Sequence, residues 1–405
     1  MNRLFEWFIL IVLINWISAC TPPIRYTTLE KGPVPFEPAI RSLTNHLLAP
    51  IQADRGVVLD LLSETKIVLD PFVDATSGEV VNASRRIEEI ILEEAQKNFA
   101  TFSLRRLQKD SLKEANYVMS GVISFDNYQT LGTTQKEEKY YRVAASIFNR
   151  QTGKIVANSN LWISGKELDY TPVPVYKDSP VYYLKDKRVE GLVTTTKTPV
   201  GQPANKSYYD NLDTNALLVQ ADTAYEVKDY TKASVLYDLV AKREDGQTMK
   251  TFAGAYESYL KLGQTKLAKQ RFSKLLKQSV KENNKLNIKL LFSVNKMEFI
   301  EDEELRKQYT HWLQEIGDFL QVNNYCFHIV GHSSHTGAAD YNKQLSLERA
   351  KTVQKLMLVN FSKLLQRSKA IGKGFEENLV GSGTDDLRDT IDRRVEFVIV
   401  DCSKL

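Results

Sequence analysis

A multidomain α+β architecture is what this sequence predicts, and three observations lead there. Its 405 residues are enough for roughly two to four domains of ordinary size. The apolar period changes twice along the chain. Strand-like runs around one helix give way to a purely helical stretch, and that in turn to strands alternating with helices. Two proline-rich stretches, 21–38 and 171–206, interrupt the pattern where domain boundaries are expected.

Composition narrows the class. Hydrophobic residues make up 42% and charged residues 26%, the balance of folded globular protein and not of a disordered chain. A net charge of +4 gives no electrostatic case for a nucleic-acid partner. Three cysteines are too few for a disulfide framework or a multi-cysteine zinc site. The one long apolar run lies at the extreme N-terminus, which excludes a polytopic membrane protein.

That run is Trp7–Ile14 (WFILIVLI), preceded by Arg3 and followed by Asn15 and Trp16. It is too short to span a bilayer and has the length of a signal-peptide core. The following Ile17–Cys20 (ISAC) resembles the bacterial lipobox. The resemblance implies a signal peptide over 1–19, acylation of Cys20, and an anchor that multiple acyl chains hold better than one. Thr21 stands where an aspartate would signal inner-membrane retention, so an outer-membrane location facing the periplasm is implied. An ordinary signal peptide, or a short anchor, with an incidental cysteine is the alternative. Residues 20–38, with five prolines and no apolar period, read as a tether.

A first folded region is expected over 39–170. Lys66–Val73 (KIVLDPFV) is a β-rich run closed by the turn cluster DATSGEV. Ile87, Ile90, Ile91, Ala95 and Phe99 recur at helical spacing. Tyr117–Phe125, Tyr141–Phe148 and Ile155–Ile163 read as strands, the last two separated by the turn NRQTGK. This mixed order predicts an α/β sandwich. The same runs resemble periplasmic lipoproteins of the LpoB, FlgO and CsgG type, which implies action through protein contacts; an unrelated α/β fold is the alternative.

Residues 171–212 carry prolines, a threonine run and scattered charge, and read as a linker. From 213 to 280 the pattern is helical. Ala221, Ala224, Tyr230, Ala233 and Tyr237 are echoed by Tyr256, Tyr259, Gly263, Ala268 and Phe272. This resembles two tetratricopeptide units, with a plain helical hairpin as the alternative.

The last region, 286–405, holds the most specific pattern. Ile288–Phe292 reads as a strand and Asp302–Leu320 as a helix; Phe327–Val330 is a strand ending in Gly331. His332–Met357 follows, HSSHTGAADYNKQLSLERAKTVQKLM. On a helical wheel Asn342, Leu345, Arg349, Val353 and Leu356 share a face, polar at its N-terminal end and apolar beyond. Arg349 then sits at the edge of a core, where its planar fork can take a carboxylate in two parallel hydrogen bonds.

Gly331-His332, Thr336-Gly337, Tyr341-Asn342, Leu345-Ser346, Arg349-Ala350, Gly372–Phe375 and Asp392–Glu396 together resemble the OmpA-like peptidoglycan-binding domain. The resemblance implies a βαβαββ fold and a peptidoglycan stem peptide as ligand. It implies a site that includes Ser334, Asn342, Leu345, Arg349, Asp392 and Arg393, with Arg349 on the carboxylate of the peptide's diamino acid. Ser334 replaces the family's usual aspartate, which binds the ligand's ammonium group. Asp392 replaces an asparagine and Asp340 lies nearby, so either is a candidate for the missing charge.

Other chemistries are weaker. His328, His332 and His335 lack convergent metal-ligand spacing. Ser334, His335 and Asp340 have no nucleophile elbow around them. Gly372-Lys373-Gly374 lacks the spacing of a phosphate loop. No enzymatic activity, cofactor or metal is expected. Cys326 and Cys402 flank two strands and pair only if those strands are antiparallel neighbours in a suitable register. The function expected is an outer-membrane lipoprotein that grips the cell wall non-covalently and positions an envelope protein partner. The alternative is an activator or accessory subunit of a cell-wall synthase, flagellar or secretion machine, without peptidoglycan binding.

Overall fold

The computed structural model describes residues 32–62, 64–128, 138–165, 168–381, 383, 385 and 387–405. Cys20, the apolar run before it and most of the tether lie outside them. Among the described residues no helix is long and apolar enough to cross a membrane.

The N-terminal part is a six-stranded sheet between layers of helix. Its strands are β1 (Thr65–Leu69), β2 (Val73–Asp74), β3 (Phe102–Arg106), β4 (Tyr117–Tyr128), β5 (Glu138–Asn149) and β6 (Ile155–Ile163). The order is β3-β1-β4-β5-β6, with β2 beside β4. β1 pairs in parallel with β3 and β4, and β4-β5-β6 is an antiparallel meander. Consecutive residues point to opposite faces of a strand. Here both faces are covered: Val118 and Met119 are each fully buried but belong to different cores. One core is closed by α1 (Phe36–Leu62) and α2 (Asn82–Asn98) through Ala39, Ile40, Leu43, Ile87 and Ile91. Helix α1 starts inside the stretch read as tether. Pro38 falls in its first turn, where a missing N–H leaves no helical bond unmade.

The other face of the sheet corrects the linker reading. Residues 171–212 are not a free connection. After α3 (Lys109–Glu114) they supply α4 (Pro174–Asp178), α5 (Lys187–Lys197) and α6 (Lys206–Tyr209). Tyr176, Tyr182 and Tyr208 are almost entirely buried. The Tyr208 hydroxyl donates to Asp70 at 2.6 Å, and Asn215 Nδ2 donates to the same carboxylate at 2.8 Å. Asp186 caps α5 by accepting from the Val189 amide at 2.8 Å. The apolar residues lack a sustained period because three short helices share them, and Pro174 marks a helix start.

Four helices follow as two antiparallel hairpins: α7 (Leu212–Glu226) with α8 (Tyr230–Ala241), and α9 (Met249–Lys261) with α10 (Thr265–Asn283). Ala233, Tyr237, Ala268 and Phe272 are buried. The Tyr237 ring lies against Gly254, where a side chain would overlap it.

The C-terminal part runs β7 (Lys285–Leu291), α11 (Glu303–Val322), β8 (Cys326–Gly331), α12 (Ala339–Leu358), β9 (Ser368–Gly372) and β10 (Arg394–Val400), a βαβαββ order. The sheet order is β7-β10-β8-β9, with only β8 and β9 parallel. Asp302 caps α11 through the Leu305 amide at 3.1 Å. The buried stripe of α12 runs through Asn342, Leu345, Ser346, Arg349, Ala350, Val353 and Met357, while Leu356 is exposed. Leu356 has the right direction on the wheel but lies in the last turn of α12, so direction alone does not bury it. Cys326 pairs with Val400 across antiparallel β8 and β10, and Cys402 curls back to form a disulfide with Cys326, Cα atoms 5.1 Å apart.

These parts are joined by specific contacts. Val181 bridges Ile288 of β7, flanked by Tyr182 N–H to Asn287 O at 3.0 Å and Lys289 N–H to Pro180 O at 2.8 Å. The segment after α4 thus covers the free edge of the C-terminal sheet. Trp312 Nε1 of α11 donates to the Tyr256 hydroxyl of α9 at 3.1 Å.

Candidate functional site

Two glycines set the geometry of the site. Gly331 and Gly372 are register partners on β8 and β9, and both face α12. A Cβ at Gly331 would overlap the Ser346 carbonyl, and one at Gly372 would lie 2.6 Å from the Leu347 amide nitrogen. Only glycine lets the helix approach this closely. The contact is locked by Gly374 N–H donating to Ser346 Oγ at 2.8 Å and by Ser333 N–H donating to the Gly374 carbonyl at 2.8 Å. The loops after Gly331 and Gly372 are thereby held over the N-terminal half of α12.

Arg349 lies under this surface with no exposure. Its Nε donates to the Lys296 carbonyl at 3.0 Å, Nη1 to His332 O at 3.1 Å and Nη2 to Ser293 O at 2.8 Å. The guanidinium sits 5.4 Å from the centre of the Phe292 ring. Burial, with the charge of Arg393 adding to it, lowers its pKa to about 10. It remains a cation at neutral pH. A guanidinium has five N–H donors; three here are committed to backbone carbonyls.

Ser334 is buried beside a carboxylate that the sequence reading did not single out, Asp385. Thr336 Oγ1 donates to Asp385 Oδ2 at 2.6 Å, and Arg393 Nη1 donates to Oδ1 at 3.3 Å. Burial alone would raise the Asp385 pKa. The Ser334 and Thr336 hydroxyls and the Arg393 charge outweigh it and hold the carboxyl below its usual range. The Asp385 side chain keeps 19% of its exposure, so a ligand can reach it. The cluster therefore contains two guanidiniums and one accessible carboxylate, with Arg349 within electrostatic reach of both Arg393 and Asp385.

The other expected residues take structural positions. Asp392 is fully buried and accepts from the amides of Leu379 at 2.6 Å, Val380 at 3.2 Å and Gly381 at 2.7 Å. It organises the loop before β10 and is not a free charge for a ligand, which corrects the expectation placed on it. Asp340 is exposed in the first turn of α12. Asn342 Nδ2 donates to Thr336 O at 2.6 Å and Ala338 O at 3.1 Å, pinning the turn at Gly337. That turn needs glycine, because φ at Gly337 is +82°. Leu345 is buried on the sheet-facing side of α12. Arg393 also donates to Phe292 O at 3.2 Å and Thr390 Oγ1 at 3.1 Å.

A second charged group lies at the domain junction. Glu396 is buried with Arg394 Nε at 3.3 Å, Lys285 Nζ at 3.3 Å and His332 Nε2 at 3.3 Å, and it accepts from the Tyr182 hydroxyl. Burial would raise its pKa, but the contact with His332 and the charge of Arg394 hold it well below the usual carboxylate range. Burial lowers the pKa of His332 and favours the neutral imidazole. His332, Glu377 and Glu396 bring one ligand atom each within 4.8 Å of one another. Glu396 is already neutralised by two cations, so the group reads as an ion-pair network. His335 stacks on Phe375 at 4.4 Å, and His328 Nε2 contacts Lys404 O at 3.2 Å, so each takes up its own local partner.

Residues 301–390 match the family model described as the OmpA family. Among solved structures, the chain is similar to the peptidoglycan-associated lipoprotein from Burkholderia pseudomallei, at 23% identity over 27% of this chain and 88% of that one, with a TM-score of 0.23. It is also similar to the cell wall anchor of the T6SS from Pseudomonas aeruginosa, at 22% identity over 31% and 94%, TM-score 0.24. The OmpA-like domain of FopA1 from Francisella tularensis subsp. tularensis SCHU S4 matches at 19% identity over 27% and 68%, TM-score 0.22. No curated protein matches the chain.

Proposed function

From the OmpA-like domain at residues 301–390 as premise, we propose that this protein is an envelope anchor. Its C-terminal domain binds the peptidoglycan stem peptide non-covalently, and Cys20 carries acyl chains that hold it to the outer membrane, facing the periplasm. The observation that carries the reading is the cluster of Arg349, Arg393 and Asp385 on that scaffold. A zwitterionic amino-acid end presents one carboxylate and one ammonium. The carboxylate is drawn by the charge of Arg349 and Arg393, and takes the N–H donors that Arg349 leaves uncommitted once the loops covering it part, since Arg349 has no exposure in this conformation. The ammonium takes Asp385, which stands in for the aspartate absent at position 334. Binding is the whole mechanism; no bond is made or broken.

The N-terminal α/β part and the helical hairpins, in this reading, hold an envelope protein partner. Tyr182, Glu396 and the Val181–Ile288 bridge fix their orientation relative to the cell-wall site. The partner is thus held at a set angle and not on a loose leash.

Pull-down of the purified mature protein with isolated sacculi tests the reading. Co-sedimentation that is lost in Arg349→Ala and Asp385→Asn is expected. A folded protein that stays in the supernatant favours the second reading, an accessory subunit acting through protein contacts alone. One observation supports that rival: Arg349 is already enclosed by three carbonyls. Loss of fatty-acid labelling in Cys20→Ala tests the anchor separately.

A further inference from the structure

A well-formed cavity lies away from the arginine cluster. It has a volume of about 430 Å³ and lies where the N-terminal sheet, the segment after α4 and the C-terminal domain meet. That volume falls in the range of small-molecule sites, which favour domain interfaces. Its walls are largely apolar: Phe125 and Tyr170 from the first domain, Tyr182 from the connecting segment, and Leu291, Leu305 and Leu379 from the last. Arg388 also lines it, its guanidinium 4.1 Å from the centre of the Phe125 ring.

The polar groups on the wall are unequal. The acids are engaged within the fold. Asp74 accepts from the Thr76 and Ser77 amides at 2.9 and 2.7 Å and from the Tyr170 hydroxyl at 2.8 Å. Asp126 accepts from Ser124 at 2.6 Å. Asp302 caps α11. Glu79 accepts only a long hydrogen bond from Ser77, at 3.4 Å, and burial drives it toward its neutral form. The buried base is different: burial lowers the Lys289 pKa, and the nearby Glu79, Glu257 and Asp178 act against that without an ion pair to it. Lys289 is 8% exposed, and its ammonium donates to the Tyr176 carbonyl at 2.5 Å. An ammonium has three donors, so Lys289 keeps two beyond that bond. Lys177 lies on the same wall. A buried charge without a full set of partners is costly, and an apolar wall around it calls for a ligand that is apolar at one end and anionic at the other.

We propose that this cavity is a binding site for an amphipathic carboxylate of fatty-acid type, its head on Lys289 and its hydrocarbon body between Tyr182, Leu291, Leu305 and Leu379. A neutral Glu79 carboxyl can donate to the same head group. Because the walls come from three parts of the chain, occupancy stabilises their mutual orientation. The cavity is distinct from the proposed peptidoglycan site, although both draw on the loop before β10, and its occupancy does not depend on that reading.

The test is calorimetric titration of the purified mature protein with decanoate, decanol and decylamine, with near-ultraviolet circular dichroism as the fold check. Saturable one-site binding of decanoate is expected, with decylamine at least tenfold weaker. Leu379→Trp, which fills the cavity, should abolish decanoate binding. Lys289→Met should weaken decanoate at least tenfold and leave decanol unchanged. Absence of saturable decanoate binding to the native protein overturns the proposal. So does decanoate binding that survives Leu379→Trp, or decylamine binding as tightly as decanoate. If Lys289→Met fails the fold check, Leu379→Trp and the decylamine comparison still decide.

Discussion

Arg349 and Arg394 are buried equally deeply in the same domain, yet their surroundings differ in kind. Arg394 meets a carboxylate, Glu396, and lies 5.4 Å from the Tyr182 ring. Arg349 meets only backbone carbonyls and forms no ion pair among the described residues. The first arrangement neutralises its charge inside the fold. The second leaves a buried positive charge beside another guanidinium, and burial first, with the charge of Arg393 adding to it, lowers its pKa to about 10. A buried charge left without a counter-ion is expensive for stability alone. The difference therefore separates a junction whose charges are neutralised inside the fold from a cluster that keeps a net positive charge, the feature on which the proposed carboxylate binding rests.

The largest effect should come from the junction. Glu396→Gln strands Arg394 and Lys285 without their carboxylate, and breaking a buried pair in this way costs about 3–5 kcal/mol. Urea denaturation monitored by circular dichroism reads it. If the midpoint does not move, the junction is not the cohesive element.

Acid titration sharpens the same contrast. The Glu396 pKa is held below its unfolded value. Between the two values the unfolded chain binds more protons, so stability rises with pH there. Its contribution is present above the ordinary glutamate range and is lost as pH falls through that range toward the folded value. Glu396→Gln should flatten this acid limb, whereas Arg349→Ala should leave it in place.

The site should respond more modestly and in a different measurement. Arg349→Ala should weaken sacculus binding by about 1.5–3 kcal/mol, the scale of hydrogen bonds to a charged group. Arg349→Lys should rescue little, because an ammonium lacks the planar fork. If Arg349→Ala instead destabilises the fold as much as Glu396→Gln and leaves binding intact, the contrast drawn above collapses.

Glu257 offers a smaller effect away from both regions. It is buried on α9 with neither carboxylate oxygen hydrogen-bonded, and burial, with Asp178 nearby, raises its pKa well above the usual value. Its protonated form is favoured in the fold, so its penalty grows as pH rises above the unfolded value. Glu257→Gln should raise the melting temperature at neutral pH and change little near pH 4.

The smallest effect is the most discriminating. Ser334→Asp would place a second carboxylate against Asp385, and like charges this close cannot both ionise easily. Sacculus binding should stay flat or weaken. In Asp385→Asn, which should itself lose binding, the added Ser334→Asp should restore it. Tighter binding from Ser334→Asp alone would remove Asp385 from the proposed role.

Much of the C-terminal domain was legible in the chain. The strand, helix and glycine spacing around 327–357 predicts β8 and α12, and the wheel places Asn342, Leu345 and Arg349 on the buried side. Asp385 was not legible. It lies 51 positions from Ser334, and the two meet because β10 pairs with β8, which sets His332 N–H on the Arg394 carbonyl at 2.9 Å. A lone aspartate in a turn-rich stretch has no local signal of its partner. The connecting stretch 171–212 failed for the opposite reason. Its prolines and threonines resemble a loop locally, and only the two domains on either side make its tyrosines a core.

The sequence by itself determined the α+β class and, Leu356 apart, which side of α12 is buried, because these follow from apolar period, while the βαβαββ order came from the resemblance that the spaced glycines and polar motifs carry. Tertiary structure alone decided what each buried side faces. It set Asp385 against Ser334, turned Asp392 inward onto three amides, brought Cys402 to Cys326 and opened a cavity at the junction. The physical reason is that periodicity records that a residue leaves water. The partner it meets there is chosen by strand register and domain packing, which arise from contacts far apart in the chain.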